Sequence, residues 1–207
     1  MTESVIPLKE FDQEMASTRK LLERVPNEKG TWKPHQKSFA LGHLAQLVAW
    51  IPGWIATSLR ASHIDLAQSG GYSFEATEVL LRLFDTNVRE AREALGTVTG
   101  PALDAPWSLR HGEQVLFTAP RREVVRQHLN HLIHHRGQLT VYLRLVDVPL
   151  PQSGQPGRAF RSTDRQQTNA GELRVTRQSA PVDLRIASAM HPERGGPKSP
   201  FLRPDPL

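Results

Sequence analysis

Apolar residues recur every three or four positions through residues 1–151, and the recurrence then stops. Leu8, Phe11, Met15, Thr18, Leu22 and Val25 form the first such stripe, which predicts a helix that Pro26-Asn27 ends. A second stripe follows Ser38, a candidate N-cap, and carries Leu41, Leu44, Leu47, Val48, Ile51, Ile55 and Leu59. Pro52-Gly53 lies inside it and predicts a kink, because Pro52 lacks the N–H that would bond back one turn. The third stripe, Val79, Leu80, Leu83, Phe84, Val88, Ala91 and Leu95, follows Ser73 and an acidic first turn of Glu75 and Glu78. The fourth begins near Pro120, a good first-turn residue, and continues to about Val146, where Val148-Pro149-Leu150-Pro151 stops it.

Between the third and fourth helices, Trp107-Ser108-Leu109 and Glu113 to Phe117 predict a short hairpin or an irregular cover. Four amphipathic helices with short links and one longer crossover describe an all-α four-helix bundle over residues 1–151. Residues 152–207 are rich in Gly, Pro, Ser, Gln and Arg and lack Trp, Tyr and any long apolar stripe. Such a segment buries too little apolar surface to offset its ordering entropy, which predicts a disordered tail. Its composition resembles arbitrary translation of GC-rich DNA, as a frame-shifted or read-through extension would.

The formal net charge of +5 belongs mostly to that tail. Nine basic residues face five acidic ones in 152–207, which leaves 17 against 16 in the body. A near-neutral body with interspersed charge and no helix-turn-helix pattern ranks nucleic-acid binding last. No cysteine is present, which removes disulfides, thiolate metal ligands and a cysteine nucleophile. No N-terminal basic-then-apolar run and no membrane-length apolar stretch occur, so the expectation is a soluble cytoplasmic protein.

The chemistry concentrates in the fourth helix. Four of nine histidines fall between His128 and His135. His131 and His135, four apart on a helix, lie about 40° apart in rotation and one turn apart in height, so two imidazoles can address one divalent ion. His43 is the other histidine in the middle of a strongly predicted helix, and a bundle can bring that helix beside the fourth. Three imidazoles would leave coordination positions open, as catalytic metal sites do. His128 points partly the same way and fits either a supporting neighbour or a competing ligand. His134 faces away by about 60° of rotation. His35, His63 and His111 fall in predicted loops. Gln46 and Gln138 are candidates to orient the ligands or a water, and each equally fits an ordinary polar helix surface. Trp50 and Trp54 read as core or dimer contacts ahead of a pocket wall. Gly137, in mid-helix, predicts close packing of a neighbouring helix. No acidic residue stands out as a general base.

The run Asn130-His131-Leu132-Ile133-His134-His135-Arg136-Gly137-Gln138, with Gly42-His43-Leu44-Ala45-Gln46-Leu47, Pro52-Gly53-Trp54 and Trp107-Ser108-Leu109, resembles the DinB-like family over about residues 5–151. The resemblance implies a four-helix bundle, often dimeric, that holds one divalent ion through His43, His131 and His135. It also implies metal-dependent chemistry, since the superfamily includes thiol-dependent transferases and isomerases. Relatives of this type usually close with a short Tyr-Gly-Pro segment after the Pro-x-Pro, which this chain replaces with its tail.

A three-imidazole site suits Zn²⁺, Ni²⁺, Mn²⁺ or Fe²⁺. The expected function is a metal-dependent hydrolase or low-molecular-weight-thiol transferase acting on a small-molecule substrate, with a homodimer as the assembly. The alternative is a non-catalytic metal-binding stress-response protein.

Overall fold

A computed structural model of the chain describes residues 5–68 and 70–151. The expected tail at 152–207 lies outside the described residues. Four long helices account for the apolar stripes: α1 (Leu8–Leu22), α2 (Leu41–Arg60), α3 (Thr77–Thr97) and, after the five-residue α4 (Gly100–Asp104), α5 (Arg121–Leu145). Helix α2 packs on both α3 and α5, while α1 covers the same two helices. Phe11, Met15 and Leu22 of α1 meet Leu44, Leu47, Ile51 and Ile55 of α2, Phe84 of α3 and Leu132 and Leu139 of α5 in one core. That burial is the main force holding the helices together, at roughly 1.5–3 kcal/mol for each fully buried large side chain.

The fold is mostly helical, as expected, but not purely so. A three-stranded sheet, ordered β1-β2-β3, is built from His63–Asp65, Pro106–His111 and Gln114–Pro120. β2 and β3 are the antiparallel hairpin anticipated from the crossover, joined through Gly112 at φ 58°, with an irregularity between Leu109 and Arg110. β1 runs parallel to β2, with His63 opposite Ser108. Three residues are too short to show an alternating pattern, so this strand exists only through its non-local partner. Trp107 and Leu109 point inward from β2 and are fully buried.

The helix starts differ from the expected caps. Ser38 does not cap α2, and α2 and α3 begin after Ala40 and Ala76 without side-chain capping bonds. Tertiary partners take over this role. Leu41 N–H donates to Trp32 O at 2.8 Å and Gly42 N–H to Gly30 O at 2.9 Å. Thr77 N–H donates to Asn27 Oδ1 at 2.8 Å. Each therefore satisfies an amide that a helix leaves open at its first turn. Helix α2 runs continuously through Pro52. Next to it, Asn87 from α3 fills the space over Gly53 and donates to Ala49 O at 2.9 Å, so the turn that Pro52 disturbs receives a side-chain donor.

Candidate functional site

Pro120 precedes α5 with φ −55°, already suited to a helix entry, and the helix then runs unbroken for 25 residues. That continuity sets the histidine geometry. His131 Nε2 and His135 Nε2 lie 2.7 Å apart. On its other nitrogen, His135 Nδ1 is 2.7 Å from Gln138 Oε1, three residues on. An amide oxygen only accepts, so Nδ1 carries the proton and His135 Nε2 presents its lone pair. This is the tautomer a metal-ligating imidazole needs, held by the kind of outer partner that usually fixes it. Two nitrogens each about 2.0–2.1 Å from one tetrahedral ion lie about 3.3–3.4 Å apart, so the pair, now at 2.7 Å, would open by roughly 0.6 Å to share a divalent ion.

Arg136 holds this turn in place. Its guanidinium reaches across to α1, donating to Glu14 O and Thr18 Oγ1 at 3.1 Å each and pairing with the Glu14 carboxylate at 2.5 Å. Leu132 and Leu139, buried on either side, anchor the same face. His135 is itself buried, 3% exposed, while His131 is half-buried.

Helix α2 supplies the facing surface. Trp50 and Trp54 follow His43 by 7 and 11 residues, and so share its stripe to within about 20° of rotation. The Trp54 ring stacks on His131, with centroids 5.9 Å apart and planes at 29°. His43 stacks on Tyr72 at 3.6 Å and leans on Phe39 at 4.4 Å, and Trp50 covers the far side of Tyr72 at 4.8 Å. Gly42 permits this. A Cβ there would fall 2.5 Å from the Phe74 ring, which carries the Tyr72 segment against α2. Burial pushes the Tyr72 phenol up to about 12, so it stays protonated and can donate at neutral pH.

The structure thus brings His131, His135 and Gln138 together and sets His43 on the helix that packs against them. Among the described residues, no group of three or more His, Asp or Glu side chains is arranged to hold a metal ion. His128 is engaged elsewhere. Its Nε2 lies 3.1 Å from Ser58 Oγ, and its ring meets Trp107 edge-on at 6.3 Å. Burial drives its pKa down to about 4, so it is neutral. Gln46 accepts from Ser73 N–H at 2.9 Å and thereby ties the 70–76 segment to α2. His134 is exposed and touches His135 edge-on at 5.0 Å. His35, His63 and His111 are also exposed.

Sequence reasoning missed Tyr72, Phe39 and Ser58 and underrated Trp54. For Trp54 a signal existed, its shared stripe with His43. For Tyr72 there was none, because its position depends on the Gln46–Ser73 bond.

A mostly helical unit with an imidazole pair aimed at one point defines the class. The family model described as DinB family matches residues 1–156, and the chain belongs to that family. Two crystal structures share the fold. One is a DinB-like protein from Bacillus subtilis, 21% identical, with TM-score 0.57 over 72% of this chain and 98% of the other. The second is a DinB-like protein from Bacillus cereus, also 21% identical, with TM-score 0.54 over 70% and 93%. No curated protein matches the sequence.

Proposed function

We propose that the chain is a divalent-metal-dependent enzyme, of hydrolase or low-molecular-weight-thiol transferase type, whose ion is held by His43, His131 and His135. The observation that carries this reading is the convergence of His131 Nε2 and His135 Nε2 at 2.7 Å, with Gln138 fixing the His135 tautomer. His43 is taken as the third donor because it stands on the helix packed against α5. A bound ion would supply Lewis acidity, either toward a water or carbonyl or toward a substrate thiol. The chain itself has no cysteine, so any sulfur nucleophile comes from the substrate. Trp54, Trp50 and Tyr72 give the surroundings an apolar, ring-lined character that limits water.

The same reading takes the protein to be a cytoplasmic homodimer. Among the described residues, no helix is long and apolar enough to cross a membrane. The outer face of α5 exposes Ile133, Val141 and Leu145 beside Asn130 and Gly137. Between Asn130 and Val141 the helix has no Asp, Glu or Lys, and its one Arg, Arg136, is paired with Glu14. That face suits a second copy.

Purified full-length protein is expected to hold about one ion of Zn²⁺, Ni²⁺, Mn²⁺ or Fe²⁺ per chain and to turn over members of a panel of thiol, epoxide and ester substrates, with chelation abolishing turnover. Metal retention without any turnover would favour a metal-binding stress protein. Unchanged metal content in His131→Ala would remove the site.

A further inference from the structure

Four rings from two parts of the chain form one stack along α2. Tyr72 lies over the His43 imidazole with centroids 3.6 Å apart and planes at 29°, and Phe39 meets the same imidazole at 4.4 Å and 35°. A face with a ring centred 3.6 Å above it has no room for a second, so Tyr72 and Phe39 take opposite faces. Trp50, about two helical turns on from His43, closes the stack on Tyr72 at 4.8 Å and 27°. Phe39, His43 and Trp50 belong to α2 and the residues just ahead of it, whereas Tyr72 enters from the 70–76 connection. Its ring occupies the interval between His43 and Trp50.

The residues after Tyr72 hold it there. Ser73 N–H donates to Gln46 Oε1 at 2.9 Å. The Phe74 ring sits over Gly42 and Gly30, where a Cβ would fall 2.5 and 2.6 Å from ring atoms. Three successive residues of the connection thus dock on α2 within residues 42–50. An imidazole binds a metal through a lone pair in the plane of its ring. Rings on both faces fix that plane, and with it the direction in which His43 can ligate. A histidine ligand is usually held by a hydrogen-bonded outer partner, as Gln138 holds His135. On α2 stacking performs the same task.

We infer that Tyr72 is a positioning residue, whose ring sets the plane of the His43 imidazole for metal binding while supplying no ligand of its own. The inference rests on the proposed metal site for what His43 does, and adds the residue that orients it.

The test is zinc affinity of the full chain by competition with a chelator, with urea unfolding confirming that each variant is folded. Tyr72→Phe keeps the ring and should stay within about twofold of the parent. Tyr72→Leu fills much of the space without a planar face, and Tyr72→Ala empties it. Both should bind zinc about 10- to 100-fold more weakly, the range for losing an outer partner. A cycle with His43→Ala separates orientation from packing. Once the imidazole is gone Tyr72 has nothing to orient, so adding Tyr72→Leu to His43→Ala should change affinity by no more than about twofold. Three results overturn the inference: parent-like affinity in a folded Tyr72→Leu, a loss in Tyr72→Phe as large as in Tyr72→Leu, or equal losses from Tyr72→Leu with and without His43. The two readings fail distinguishably. A parent that loses zinc on His43→Ala but not on Tyr72→Leu defeats only the positioning role, and a parent that never binds zinc defeats the metal site and this role together.

Discussion

His128 and His135 stand two turns apart on the same helix, both buried, and are treated in opposite ways. His128 has Ser58 on Nε2 and indole rings around it, so its polar atom is engaged within the core and its charge is suppressed. His135 has an amide oxygen on Nδ1 and a second imidazole nitrogen at Nε2. In the first case burial and a hydroxyl make a satisfied, neutral structural group. In the second, two imidazole nitrogens face each other at 2.7 Å, with an amide oxygen on the outer nitrogen of His135. Burial alone therefore does not mark a functional histidine. The identity of the atom facing each nitrogen does.

The largest effects should fall on the structural side of this comparison. His128→Ala empties a site packed by Trp54 and Trp107 and leaves the Ser58 hydroxyl buried, at a cost of about 3–5 kcal/mol in urea unfolding with metal content unchanged. The pH dependence has a definite sign. The native pKa of about 4 lies below the ordinary 6.5, so the unfolded chain binds this proton first. His128 is therefore without penalty above about pH 6.5, and stability declines as pH falls toward about 4, by about 3 kcal/mol in total. A His128→Phe variant should show a flatter acid limb between those values in the same measurement. An unchanged limb would mean that His128 is not the buried neutral group described.

On the functional side, Gln138→Leu removes the acceptor that fixes His135. Metal affinity is expected to fall about 10- to 100-fold by competition titration, with little change in unfolding, and Gln138→Glu should restore it. The smallest effect belongs to Gly137. Among the described residues a Cβ there meets nothing within 4 Å, so Gly137→Ala should stabilise the isolated chain by up to about 1 kcal/mol through helix propensity.

That glycine also shows where the sequence misled. Gly137 predicted a closely packed neighbour, but none of the described residues comes within 4 Å of a Cβ there, whereas Gly42 and Gly30, which carried no such expectation, lie against Phe74. Long periodic segments were legible. α5 begins and ends where Pro120 and Val148-Pro149 predict, because local backbone chemistry decides those points. The i, i+4 spacing of His131 and His135 was legible for the same reason. Features set by distant partners were not. β1 depends on Ser108 to Arg110, the expected Ser38 cap gives way to the Trp32 and Gly30 carbonyls, and His128 is assigned its role by Ser58, 70 residues away. Pattern reading sees one helix at a time, and a histidine's function depends on what the other helices bring to it.

If His131 and His135, and not His128, form the metal-holding end of α5, zinc titration of the metal-free full chain beside its His131→Ala, His135→Ala and His128→Ala variants will separate them directly. One site per chain is expected in the parent and in His128→Ala. In the other two variants affinity should fall by at least about 100-fold, the upper range for losing an outer partner alone. Zinc binding that survives in His131→Ala and His135→Ala, or that disappears in a folded His128→Ala, would contradict this division of the helix.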